Sequence, residues 1–460
     1  MNDVLLENAI VVPCEGNRTV FDPGSVLVLD GRIVAVDRSD RVAEHPAAAP
    51  SSSIERIDLS GHLLIPGLHN AHLHSGLLRG TAESLALWEW LEQHVDPAHR
   101  ALTPEIAEAA SWMAYTEGLR SGTTSVLDMW RFMEGSARAA EEIGIRATLA
   151  PYTADKYGWF ETMETNRRLL ETHRTAADGR VRAWVGLEHM FYCSPEMFRE
   201  AAALAEEFDV GIHTHSSETV WEVEESVRQF GKRPIEVFAD RGILDGRAVI
   251  AHGVWLDDTE IDICVDRGSA VTHCPCSNMK LSSGAAKVGH YREAGMTVAL
   301  GTDGEKENNN LDMIEELKFG ALLAKLSTTD PAAGDPWDLL EMATREGAKA
   351  LGLDDVTGTI EVGKEADLVA VDLGAIHFVP LFRSGADANA VAHLVFSASG
   401  RDVSDVWVKG RRLVENGEVI SVDLAAVAER AQAAAEELFE RRRALGEPVA
   451  GPAAQLGKTV

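Results

Sequence analysis

Residues 62–74 read HLLIPGLHNAHLH. A near-continuous apolar run that ends in two histidines two positions apart is what a strand covered on both faces looks like when its polar residues are kept for its C-terminal tip. Seven further stretches repeat the form: TSVLDM (124–129), IRATLAPYT (145–153), VRAWVGLEHM (181–190), VGIHTHSSE (210–218), AVIAHGVWL (248–256), AVTHCPCSN (270–278) and TVALGTDG (297–304). Between them lie amphipathic segments such as PEIAEAASWMAYTEGLRSG (104–122), PEMFREAAALAEEF (195–208) and NLDMIEELKFGALLAKL (310–326). Thr103 and Ser194 each precede Pro-Glu, the usual N-cap followed by proline at the first helical position. Eight alternations of strand and helix predict an α/β protein built on a closed (β/α)8 TIM barrel over residues 61–357.

The flanks follow a different pattern. Residues 3–12, 25–37, 367–373 and 402–419 are short β-rich runs punctuated by the turn pairs DG, KG and NG. They predict a small β-sandwich domain assembled from both ends of the chain, residues 1–60 plus 358–424. Residues 425–445 form a strong Ala/Glu/Arg helix pattern, followed by a loose Pro/Gly/Ala-rich tail, so that 425–460 stands as a C-terminal helix with a flexible end.

The 460 residues carry 43 Lys+Arg against 73 Asp+Glu, a formal charge of −30. That surplus repels nucleic-acid phosphate and anionic headgroups, which argues against DNA, RNA and membrane-surface roles. Asp3 and Glu7 stand where a secretory signal needs a basic start and an apolar core, and no apolar run reaches membrane-spanning length, so a cytoplasmic location is expected. Five cysteines (Cys14, Cys193, Cys264, Cys274 and Cys276) match neither a disulfide framework nor a zinc ribbon and are read as packed thiols.

In a barrel the chemistry sits at the C-terminal strand ends. There the first strand offers His72 and His74, which point to the same side of an extended chain. The fifth offers His213 and His215 with Glu218 following, the sixth His252 and the eighth Asp303. One H-x-H is usually structural, but four strand ends bearing imidazoles and a carboxylate at one mouth point to a metal site.

The stretches LLIPGLHNAHLHSGLLRG, IHTHSSET, AHGVWL, HCPCSNMKLSSG, GTDGEKENNNLDM and GTIEVGKEADLVAVDL carry a resemblance over essentially the whole chain. It resembles the amidohydrolase superfamily, specifically its deaminase and s-triazine hydrolase (chlorohydrolase) branch. The resemblance implies His72, His74, His215 and Asp303 as ligands of one divalent metal, zinc or iron(II), with Glu218, His252 and Asp303 in catalytic roles. The family's acidic residue follows its metal histidine by three positions, which selects His215 over His213. Two-metal members bridge their ions from the fourth strand end, where Glu188 stands here, although the HSSET set fits the one-metal branch better.

The implied reaction is hydrolytic removal of an amino group from a nitrogen heterocycle. Metal-bound water is acidified toward a pKa of about 7, Glu218 protonates the ring nitrogen, His252 hydrogen-bonds the attacking water, and Asp303 carries a proton to ammonia. The alternative within enzymes is displacement of chloride or an alkylamine from an s-triazine. A non-catalytic scaffold is a third reading, opposed by the intact ligand set. The expected partner is a small heterocyclic substrate and the expected state a homo-oligomer.

Trp90 and His189 match family substrate contacts, with an ordinary core tryptophan an equal reading for Trp90. His99 stands where adenosine-type deaminases carry a ribose-binding glutamate, Pro151 where they carry an arginine, and Glu305-Lys306-Glu307 where they carry small residues. These departures argue against S-adenosylhomocysteine or methylthioadenosine as substrate. The charged triplet either faces water or turns inward, and in the second case Glu305 and Lys306 meet the ring.

Overall fold

The computed structural model describes residues 3–50 and 52–446. Of the tail read as loose, all but Gly446 lies outside the described residues. The described residues divide into two compact units. One gathers the chain up to residue 70 with 116–125 and 312–422, and the other gathers 71–115, 126–311 and the chain from 423 onward.

The first unit is organised by one nine-stranded sheet. Its order runs Glu418–Val419, Arg411–Glu415, Val403–Val408, Leu368–Asp372, His62–Pro66, Val4–Val11, Phe21–Leu29, Arg32–Arg38, with Glu55–Asp58 alongside Val4–Val11. Each flank stretch singled out in the sequence contributes strands. Residues 25–37 turn back on themselves at Asp30-Gly31, both at positive φ (50° and 77°), the mirror-type turn that matches the twist of a hairpin. Alternation assigns the faces. Val4, Leu6, Val26 and Val28 share one apolar cluster with Leu64, Leu368 and Trp407, while Leu5 and Leu27 pack with Val42 and Ala48.

The expected strand at 62–74 is two strands, His62–Pro66 in the nine-stranded sheet and Leu68–Leu73 in another. Gly67 makes the passage: a Cβ there would lie 2.1 Å from the Thr124 hydroxyl oxygen. The remaining seven predicted stretches form strands in two sheets, most of them shorter than expected, with 124–129 extended to Thr123–Trp130 and 181–190 divided into Val181–Ala183 and Val185–Gly186. A four-stranded sheet has the order Leu68–Leu73, Thr123–Trp130, Arg146–Pro151, Val181–Ala183. A five-stranded parallel sheet has the order Val185–Gly186, Ile212–Ser216, Ala248–His252, Ala270–His273, Thr297–Leu300. Only Trp184 separates the last strand of one sheet from the first strand of the other, and the Asp303 N–H donates to the His72 carbonyl at 3.0 Å.

The stretch 270–278 is strand only to His273. Pro275 opens the short helix Pro275–Lys280 instead, as its missing N–H and fixed φ favour. The two proline-preceded helices start where expected: Ser194 Oγ accepts from the Met197 N–H at 3.1 Å and Thr103 Oγ1 from the Ile106 N–H at 3.3 Å. All five cysteines are buried, and among the described residues no helix is long and apolar enough to cross a membrane.

One buried carboxyl gives the second unit a pH dependence of unusual sign. Asp96, 3% exposed, opens the helix Asp96–Ala101 and accepts a 3.2 Å hydrogen bond from the Tyr192 hydroxyl. Burial pushes its carboxyl up from 3.8 to about 7. Between those values the folded chain holds a proton that the unfolded chain has released, so stability falls as pH rises through this window. A shift of about three pH units limits the loss to about 4 kcal/mol. Asp96→Asn is therefore expected to raise the unfolding midpoint at pH 8 by about 2 °C or more relative to the native chain, and much less at pH 4. Equal shifts in thermal scans at the two pH values would contradict this.

Candidate metal centre and active site

Four of the parallel strands deliver imidazoles and a carboxylate to one buried spot, and the hydrogen bonds fix which nitrogen each ring presents. His74 Nδ1–H donates to the Met129 carbonyl at 2.7 Å and His215 Nδ1–H to the Glu188 carbonyl at 2.6 Å. His213 Nδ1–H donates to the Val249 carbonyl at 2.9 Å, so its Nε2 accepts from His72 Nδ1–H at 2.8 Å. All three Nε2 atoms of His72, His74 and His215 are thereby left with lone pairs facing inward. Two of them, on His74 and His215, lie 3.1 Å apart. Lone pairs that close repel unless a cation lies between them. Asp303 Oδ1 is 3.3 Å from His72 Nε2 and 3.5 Å from His74 Nε2. Three neutral imidazoles and one carboxylate are a donor set that suits a divalent ion of the zinc type.

Electrostatics agree with that geometry. Burial holds His74 and His215 well below their ordinary protonation range and lowers His72, so the rings are neutral. Asp303 is buried beside the same rings, its second carboxylate oxygen 3.8 Å from His252 Nε2. Ser277 Oγ–H donates to Asp303 Oδ2 at 2.6 Å.

His252 and Glu218 stand beside this cluster. His252 Nδ1–H is tied to Asn278 Oδ1 at 3.0 Å, which leaves Nε2 facing Glu218 Oε2 at 3.6 Å and Asp303 Oδ2 at 3.8 Å. Glu218 Oε1 accepts from Ser283 Oγ–H at 2.8 Å. Burial raises the Glu218 carboxyl above its ordinary value. Ser217, His252 and Asp303 all adopt left-handed backbone (φ 52°, 71° and 61°), a conformation that costs L residues energy and concentrates at working sites.

A cavity opens above these groups, with Leu87, Trp88, Trp90, Leu91 and Leu281 as its apolar wall. Trp90 and His189, both named from the sequence, line it. His99, Glu305 and Lys306 do not. His99 stacks on Tyr152, ring centres 4.8 Å apart. Glu305 is fully buried and Oε1 accepts from the Leu78 N–H at 3.0 Å.

The triplet does not face water, because Glu305, Lys306 and Glu307 are all buried. Lys306 Nζ pairs with Glu307 at 2.8 Å and lies 5.9 Å from the Trp90 ring centre. Glu307, absent from the sequence assignment, is the member that lines the cavity, and burial pushes its carboxyl up to about 8 despite Lys306. The Glu188 carboxyl takes a 3.2 Å hydrogen bond from Tyr152 and is outside every group of converging ligand atoms among the described residues. Glu222, Ser277, Asn278 and Ser283 also escaped the sequence reading. Only Glu222 had a local signal, the T-V-W-E spacing of a helix start.

Inward-facing imidazoles with an acid beside them, at the ends of parallel strands, define a metal-dependent hydrolase. Residues 63–413 match the amidohydrolase family model. The chain belongs to the amidohydrolase family. It is 41% identical to the 5'-deoxyadenosine deaminase of Methanothermobacter thermautotrophicus, over 90% of this chain and 95% of that one. It is 37% identical to the 5-methylthioadenosine/S-adenosylhomocysteine deaminase of Nitratidesulfovibrio vulgaris, over 92% and 95%. Among solved structures, an adenosine deaminase from Xanthomonas campestris with bound zinc superposes with a TM-score of 0.87 at 34% identity, over 96% and 99% of the two chains. The zinc complex of atrazine chlorohydrolase from Arthrobacter aurescens superposes with a TM-score of 0.85 at 24% identity, over 94% and 100%, and shares the fold.

The expectation drawn from His99, Pro151 and the charged triplet, which argues against methylthioadenosine and S-adenosylhomocysteine, differs from the names these relatives carry. His99 packs on Tyr152, and His99, Glu305 and Lys306 are not among the residues that line the cavity, whereas Glu307 is.

Proposed function

We propose that this chain is a divalent-metal-dependent deaminase that converts the 6-amino group of a 5'-modified adenine nucleoside, of the 5'-deoxyadenosine and methylthioadenosine class, into a carbonyl. The observation that carries the reading is Glu218, a buried carboxyl raised by burial and set beside His252 at the floor of a cavity with aromatic and aliphatic walls. A scaffold has no use for such a group, whereas a ring nitrogen gaining a proton needs one. The names of the relatives at 41% and 37% identity supply the nucleoside class.

His72, His74, His215 and Asp303 would hold the ion, and we assign zinc ahead of iron(II) because the Xanthomonas neighbour holds zinc. A divalent ion there lowers the pKa of a bound water toward about 7 and supplies the nucleophile at neutral pH. The protein's groups do the rest. Trp90 and Leu281 hold the flat ring, and Glu218 donates a proton to the ring nitrogen beside the attacked carbon. His252, its Nδ1–H fixed by Asn278, presents Nε2 to orient the attacking water. Asp303 Oδ2 passes a proton to the departing amine. The water oxygen ends as the ring carbonyl, one of its hydrogens on the ring nitrogen and the other on ammonia.

The same reading takes the two parallel sheets as one closed (β/α)8 barrel, supported by the one-residue gap at Trp184 and the Asp303–His72 hydrogen bond. It takes the nine-stranded sheet as folding over into a β-sandwich, supported by Val26, Val28 and Trp407 sharing one cluster. The test is a panel of 5'-deoxyadenosine, 5'-methylthioadenosine, S-adenosylhomocysteine, adenosine and a chloro-s-triazine, read by ammonia and chloride release from the zinc-loaded chain. Ammonia from the first or second, with kcat/KM at least about tenfold above the triazine (1.4 kcal/mol in barrier), is expected. Chloride release without ammonia, or silence throughout, would reject the reading.

A further inference from the structure

The turn that carries Glu218 is held from below by a carboxylate outside the cavity lining. Ser217 lies at φ 52°, and its N–H and that of Glu218 converge on Glu222. Ser217 N donates to Oε1 at 2.6 Å and Glu218 N to Oε2 at 2.9 Å. Glu222 sits in the first turn of the helix Val220–Phe230, whose N-cap Thr219 accepts from the Glu222 N–H at 3.3 Å. In an ordinary capping box the third helical residue reaches back to the N-cap N–H. Here it reaches past the cap to the two residues before it, which places its carboxylate under the active-site turn.

The same oxygen has a second partner. Oε1 lies 3.2 Å from His189 Nε2. His189 Nδ1 accepts from the Phe191 N–H at 3.4 Å, which assigns the ring proton to Nε2, facing Glu222. His189 lines the cavity and meets the edge of Trp88, ring centres 5.1 Å apart. Glu222 is fully buried. Burial disfavours its charge, but His189 and the backbone donors more than offset that and lower its pKa.

We propose that Glu222 is a positioning residue whose single carboxylate sets both the direction of Glu218 and the orientation of His189 on the cavity wall. This rests on the reading of Glu218 as proton donor. A carboxylate can accept from both backbone N–H groups and still present its charge to His189 at 3.2 Å, whereas a glutamine amide of the same size has one acceptor oxygen and two donor hydrogens of its own. Glu222→Gln must therefore turn an N–H toward a backbone donor or toward His189.

The test uses the zinc-loaded chain and 5'-deoxyadenosine, or whichever compound of the panel is turned over. Glu222→Gln is expected to lower kcat by about 10- to 100-fold, within the worth of a positioned acid, with zinc content near native. In a Glu218→Gln background the same change is expected to lower kcat by a clearly smaller factor, about tenfold less, because no acid is left to aim and only the effect through His189 remains. Equal fold losses in both backgrounds would mean a general structural role and overturn the inference. So would an unchanged kcat in the single variant. Glu222→Asp keeps the charge and shortens the reach. It is expected to retain more kcat than Glu222→Gln if charge toward His189 and the N–H pair matters, and it carries the two-background comparison should the glutamine variant not fold. Full rate in Glu218→Gln alone would instead reject the proton-donor reading itself, an outcome separable from either result with Glu222.

Discussion

Glu218→Gln is expected to lower kcat by about two to four orders of magnitude, the usual worth of a positioned general acid, while metal content stays near native. Both halves follow from geometry. Glu218 Oε1 is held by Ser283 at 2.8 Å and Oε2 faces His252 at 3.6 Å, but Glu218 is in none of the sets of converging ligand atoms. Glutamine preserves shape and the Ser283 contact yet cannot donate and recover a proton. Steady-state kinetics with metal analysis on the same preparation check this. A full-rate variant would remove Glu218 from the chemistry.

His215→Ala should go further and take activity below detection by removing the ion. The Nε2 that it deletes is one of three lone-pair nitrogens closing on the centre, 3.1 Å from that of His74, and its Nδ1–H anchor to the Glu188 carbonyl disappears with it. Less than about a tenth of an equivalent of zinc is expected in the variant, and added zinc should restore a chelator-treated native chain but not the variant. The stripped native chain should also melt earlier, since an ion present at about a thousand times its dissociation constant stabilises the folded state by about 4 kcal/mol. A variant with a full equivalent of zinc would show that His215 is no ligand. A native chain that binds less than a tenth of an equivalent would bring back the scaffold reading.

The groups that converge on the centre were legible because strand geometry is simple. Residues two apart share a side, and strand ends gather at one mouth, so His72, His74, His215 and Asp303 could be placed from spacing and resemblance. What could not be read depends on burial decided far along the chain. Glu305, Lys306 and Glu307 look like a solvated run, and nothing within the triplet says that Trp90, over two hundred positions earlier, lies against the lysine. From the sequence His213 reads as the spare member of an H-x-H pair. It accepts from His72, a residue of the other sheet, and so selects the nitrogen that His72 presents. Residues 270–278 read as one strand, yet Pro275 begins a helix and thereby brings Ser277 to Asp303 and Asn278 to His252.

The pairing of Pro66 with Leu368, and of Ile65 with Val369, also bears on how the chain is made. A ribosome delivers His62–Pro66 about 300 residues before its neighbour Leu368–Asp372. At roughly 5 to 20 residues per second that strand waits about 15 to 60 s with one hydrogen-bonding edge unmatched. Strand edges left open that long invite pairing with other nascent chains. The nine-stranded sheet is therefore exposed to misassembly during synthesis, and low temperature or chaperone supply should raise the yield of intact enzyme.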